Sequence, residues 1–86
     1  MYKLNYYIKQ TESLSSKEQD YEYLRTGEFF RLRRNALHYL LDTVQNEYKS
    51  MGYATEARVG GIYCYKSEKT AQGDRRLTEI LIKVER

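Results

Sequence analysis

The apolar residues of this 86-residue chain change period once, and that change limits the folds open to it. From Glu28 to about Ser50 they return at helical spacing: Phe30, Leu37, Leu41, Val44 and Tyr48, with Phe29, Leu32, Ala36 and Leu40 widening the stripe. No Gly or Pro interrupts the run, and Gly52 stands where a helix end favours glycine. Thr26-Gly27 precedes it, with Thr26 an acceptable N-cap. After Gly52 the period falls to two. Tyr53–Val59 and Ile62 to about Glu68 read as strands joined by a Gly60-Gly61 turn, since both glycines tolerate positive φ. A competing reading runs Tyr53–Lys66 as one strand with a glycine bulge. Thr70 to Asp74 is turn-rich, and Leu77–Glu85 closes the chain with Thr78, Ile80, Ile82 and Val84 on one face.

Period two also opens the chain, where Tyr2, Leu4, Tyr6 and Ile8 alternate with Lys3, Asn5, Tyr7 and Lys9. Thr11 to Ser16 reads as a polar loop. Ser16 and Gln19 have capping-box spacing, which suits a short helix from Lys17 to about Leu24, while the run Tyr21, Tyr23, Leu24 fits helix and extended chain alike. The expected order is β-α-α-β-β-β. The fold class is α+β, one domain over residues 1–86. An antiparallel-rich sheet of about four strands carries one long amphipathic helix on one face. Burying Leu37, Leu40, Leu41 and Val44 there would contribute roughly 1.5–3 kcal/mol each.

Composition narrows the function classes. The length excludes a multidomain enzyme. The lone Cys64 excludes a disulfide scaffold, and 10 tyrosines argue against disorder. Met1–Gln10 lacks the apolar run of a secretion signal, and no stretch approaches the ~20 apolar residues of a membrane helix. The expectation is a cytoplasmic protein with no membrane partner, its free Cys64 suited to a reducing compartment. No triad, metal-ligand set or paired carboxylate stands out. No cofactor or metal is therefore expected, and the reading leans away from an enzyme.

The formal charge of +3 is unevenly spread. Residues 12–22 carry Glu12, Lys17, Glu18, Asp20 and Glu22, a net −3, while residues 25–34 carry Arg25, Glu28, Arg31, Arg33 and Arg34, a net +3. One reading has the two blocks neutralise each other. The other makes the arginines a patch for phosphates or an acidic protein surface. A helix beginning near Glu28 would hold Arg31, Arg33 and Arg34 in its first turns, where cations oppose the dipole at ~0.3–1 kcal/mol each. Arginine there argues for fork-like binding of phosphate or carboxylate. An earlier helix start would instead place them mid-helix, paired with Glu28 or the acidic block.

If Ile62 and Cys64 face the helix, Tyr63 and Tyr65 face away, and Tyr7 with them. The outer sheet face would then hold Tyr7, Tyr63, Tyr65 and Leu81, with Lys3, Lys9 and Lys83. Aromatics among cations on an open sheet suit stacking of single-stranded bases. They also suit a protein interface. Cross-strand aromatic pairing without any ligand accounts for them too.

The element order, the length and the basic pI resemble the RelE-type mRNA-cleaving toxins, through the segment around Arg58 to Tyr65 and the end strand Ile80 to Arg86. That resemblance implies Arg58, Arg75 and Arg76 as phosphate-stabilising residues and Tyr63 or Tyr65 as stacking residues. The chain is also similar in general character to small proteins of phages and mobile elements, including anti-CRISPR-like inhibitors of host defence nucleases. The leading expectation is a non-enzymatic binding protein that engages nucleic acid or a nucleic-acid-handling protein. Its candidate residues are Arg31, Arg33, Arg34, Tyr7, Tyr63, Tyr65, Arg58, Lys83, Arg75 and Arg76. A homodimer through an exposed strand edge is a further expectation.

Overall fold

A computed structural model describes residues 1–12 and 20–86. Among them, five strands form one antiparallel sheet in the order β2-β1-β5-β4-β3. The strands are β1 (Tyr2–Glu12), β2 (Glu22–Phe30), β3 (Ala54–Arg58), β4 (Gly61–Lys69) and β5 (Arg75–Glu85). A helix α1 over residues 33–50 links β2 to β3 and lies across one face. The class is α+β, as expected, but the order is β-β-α-β-β-β and the strands number five rather than about four. Among the described residues no helix is long and apolar enough to cross a membrane.

β1 and β5 are the centre of the sheet, in unbroken register from Lys3 opposite Glu85 to Glu12 opposite Arg76. Alternation puts Leu4 and Tyr6 of β1, Ile62 and Cys64 of β4, and Ile80 and Ile82 of β5 on one face, buried under Ala36, Leu40 and Val44 of α1. The core residues of α1 recur every four positions. In a 3.6-residue turn such a stripe drifts by about 40° per step. The helix corrects this by winding Leu40–Val44 as a π turn between the α-helical segments Arg33–Tyr39 and Gln45–Ser50. The stripe stays over the sheet, and Leu41, expected in the core, is turned out to 38% exposure. Leu37 is half-buried.

The helix stop matches its reading. Gly52 takes φ 91°, its N–H donates to the Lys49 carbonyl at 3.0 Å, and the Tyr53 N–H donates to Tyr48, also at 3.0 Å. This is a Schellman closure, and the Tyr48 and Tyr53 rings meet edge to face across it at 5.2 Å.

The helix start does not match. Glu28, Phe29 and Phe30 belong to β2, and the N-cap is Leu32, which makes no side-chain capping bond. Thr26 and Gly27 are interior to the same strand. The short helix expected over 17–24 is replaced from Glu22 by β2, and residues 17–19 lie outside the described residues. Thr11 and Glu12 extend β1 instead of opening a loop. The two-residue turn between β3 and β4 is Val59-Gly60, since Arg58 pairs with Gly61. That hairpin replaces the single long strand. Gly61 is held in β4 by crowding: a Cβ there would meet the Ile82 carbonyl oxygen at 2.3 Å.

The order β-α-α-β-β-β is one of the features, with length and basic pI, that carry the RelE-type resemblance, and it is the one that differs. A strand now stands where that scaffold would carry its first helix.

Candidate functional site

Five of the ten tyrosines point away from α1. Register sets Tyr23, Tyr7, Leu81 and Tyr63 in one row across β2, β1, β5 and β4, with Tyr65 beside Tyr63. Tyr21 joins them under Lys9, whose ammonium lies 4.8 Å from the ring centre. Tyr2, Tyr6, Tyr39, Tyr48 and Tyr53 pack with the core on the helix side. Tyr7, Tyr63 and Tyr65 therefore sit where alternation predicts. Alternation alone does not find Tyr21 and Tyr23, because the run Tyr21, Tyr23, Leu24 fits helix and extended chain alike.

The row is held by hydrogen bonds to two carboxylates. Tyr7 donates to Glu85 at 2.5 Å, and Tyr63 donates to Glu79 at 2.6 Å. Asn5 donates to the same Glu85 oxygen at 3.3 Å and accepts from Thr26 at 2.7 Å, while the Tyr23 hydroxyl bonds that of Thr26. Lys9 pairs with Glu79 at 3.5 Å. Cations lie over the rings: Arg58 is 4.4 Å from Tyr63 and Lys83 is 5.5 Å from Tyr7. Tyr63 and Tyr65 stack at 5.3 Å and 26°. The result is an aromatic band in which the Tyr7, Tyr23 and Tyr63 hydroxyls are hydrogen-bonded.

These bonds move pKa values in known directions. Burial first, and then the Glu79 hydrogen bond, push the Tyr63 phenol up. Burial pushes Tyr48 on the core side up to about 12. A phenol raised in the folded state gives stability that is whole below the unfolded value of 10.0 and is lost as pH climbs toward the folded one. Ultraviolet absorbance should therefore show Tyr48 and Tyr63 ionising late, together with unfolding. Ionisation of every tyrosine near the ordinary value, ahead of unfolding, would contradict this. Glu85 has the opposite sign: the Tyr7 hydrogen bond holds it low, so its contribution is lost as pH falls through its folded value.

The arginines do not form one site. Arg33 and Arg34 open α1 and Arg31 precedes it, all three exposed, at the sheet end where β1 begins and β5 finishes. The first turn of α1 holds no acidic residue to offset them. The Arg33 guanidinium lies against Gly60, beside a shallow groove of about 440 Å³ lined by Arg58, Gly61, Leu81, Lys83 and Glu85. Lys3 lies at this same end opposite Glu85, and Arg86 lies there over the Tyr2 ring, with Glu28 close by in β2. The chain's excess of +3 is thus concentrated here. Arg75 and Arg76 start β5 and lie roughly 30 Å away at the strand rise. There Arg76 pairs with Glu12 at 3.0 Å. Among the described residues, the acidic Asp20 and Glu22 stand at the far end of β2 from Arg31, Arg33 and Arg34 and do not pair with them within the chain.

Among the described residues, no three His, Cys, Asp or Glu side chains gather to hold a metal. Cys64 is buried, and burial pushes its thiol up to about 11, which makes it a packing residue rather than a nucleophile. His38 is exposed on α1. No family model, curated protein or solved structure matches the chain.

Proposed function

We propose that the protein is a non-enzymatic binding module that takes single-stranded nucleic acid across the outer face of its sheet. The reading rests on one observation: the aromatic band runs directly into the basic end. Tyr63 carries Arg58 on its ring, Tyr7 carries Lys83, and the Arg33 guanidinium lies against Gly60 in the turn that follows Arg58. Bases would stack on Tyr65, Tyr63 and Tyr7 as Arg58 and Lys83 swing from the ring faces to the phosphates, with Arg33 along the same backbone path. Arg75 and Arg76 lie too far off to share the same short strand and would serve only a longer one. A reducing cytosol suits the buried thiol of Cys64.

Fluorescence anisotropy with a labelled oligonucleotide tests this. Neutralising about four phosphates gives a log–log salt slope near −3 for a single strand. Arg58→Ala with Lys83→Ala should reduce that slope by about one per residue and weaken binding to all sequences alike. A flat salt response, or unchanged binding by the double variant, would remove the nucleic-acid reading.

A second reading has a specific observation in its favour. Glu79 and Glu85 place carboxylates within the face, and the protein's own cations already cover ring faces. A rigid, mixed-charge tyrosine surface suits a protein partner, as an inhibitor of a nucleic-acid-handling nuclease would need. Retention of one stoichiometric protein after nuclease treatment of the host extract would favour it.

A further inference from the structure

We propose that β2 pairs antiparallel with β2 of a second copy of this chain, joining the two sheets and carrying the aromatic band across the join. This does not depend on what the face binds. Among the described residues β2 is an edge strand that pairs with β1 alone. Large exposed apolar side chains gather along it: Tyr23 is 60% exposed, Leu24 46% and Phe29 61%. The opposite edge, β3, is only 5 residues long and carries no large exposed apolar side chain.

Register and charge both fit a two-fold pairing. The residues of β2 that share the outer face are Tyr23, Thr26 and Phe29, opposite Tyr7, Asn5 and Lys3. They are evenly spaced about Thr26. A two-fold axis at Thr26 therefore sets Tyr23 opposite Phe29 of the second copy, twice, with both outer faces on the same side. The charges along the strand and its flanks run Asp20, Glu22, Arg25, Glu28 and Arg31, so a two-fold at Thr26 sets Arg25 diagonally beside Glu28 of the second copy. Antiparallel pairing lays the acidic start of one copy beside Arg31 of the other. A parallel pairing would set like charges together. The second copy thus supplies Phe29 to the end of the Tyr23–Tyr7–Tyr63 row and so enlarges the recognition face.

Sedimentation of the full chain should give a dimer that loosens with salt. Arg31→Glu should weaken it about tenfold, since two ion pairs become two repulsions. Glu22→Arg combined with Arg31→Glu should restore it. Thr26→Cys should cross-link rapidly under mild oxidation, because directly opposed residues lie within disulfide reach. Tyr65→Cys, exposed on the same face but away from β2, should not. A monomer at high concentration, a dimer indifferent to Arg31→Glu, or equal cross-linking by both cysteines would overturn the proposal.

Discussion

Leu40→Asp should leave no cooperative unfolding transition, while Leu41→Asp should melt close to the parent. Leu40 is 0% exposed, packed with Leu4, Ile62 and Ile82, and Leu41 is 38% exposed one position on. Truncating a buried leucine to alanine costs about 2–5 kcal/mol. A chain of 86 residues has a total margin of about 4–13 kcal/mol. Aspartate at Leu40 adds an unpaired charge to that loss and exceeds what the fold can absorb. At Leu41 the change lies on the solvent side and should stay within about 1 kcal/mol. Thermal melts followed by circular dichroism decide the matter. Equal damage from both variants would mean that the π turn does not rotate Leu41 out of the core.

Gly61→Ala is the second large effect. Its Cβ would meet the Ile82 carbonyl oxygen at 2.3 Å, the Ile82 carbonyl carbon at 3.2 Å and the Lys83 Cα at 3.3 Å. All three are backbone atoms of β5, so no side chain can swing aside. β4 must part from β5 at its first rung, losing ladder hydrogen bonds of ~1 kcal/mol each on top of an overpacking cost of ~1–3 kcal/mol. The expected loss is about 3–4 kcal/mol in denaturant unfolding. Ser67→Ala, exposed on the same strand, should change it by no more than ~0.5 kcal/mol. Because Gly61 stands opposite Lys83 and Arg58, the same change should also weaken the proposed oligonucleotide binding. Near-parental stability of Gly61→Ala would contradict the β4–β5 packing described above.

Much of this architecture is legible in the residues because the central strands are regular. Strict alternation along β1, β4 and β5 places Tyr7, Tyr63, Tyr65, Leu81, Lys3, Lys9 and Lys83 on one face without coordinates. It also implies Glu79 and Glu85 between them, a signal that passed unused. β2 was illegible for a physical reason. Its pairing with β1 shifts register between Lys3 and Asn5 and again between Tyr6 and Tyr7, so its side chains do not keep period two. Tyr21, Tyr23 and Leu24 then fit helix and extended chain alike. Phe29, Phe30 and Leu32 happen to continue the spacing of the helix that follows them, which drew its expected start back by about a turn. The arginines failed differently. Only the fold could tell that Arg75 and Arg76 lie at the far end from Arg31, Arg33 and Arg34. The Gly60-Gly61 pair was off by one because spacing alone does not reveal that Gly61 is needed against β5.

The central claim is that the face away from α1 is where the ligand sits. Amide chemical shifts, recorded while a short single-stranded oligonucleotide is added, test it most directly. The account predicts movement at Tyr7, Arg58, Tyr63, Tyr65 and Lys83, with Ala36, Leu40 and Val44 unmoved. Saturable shifts confined to α1, or none at any residue of the outer face, would contradict it.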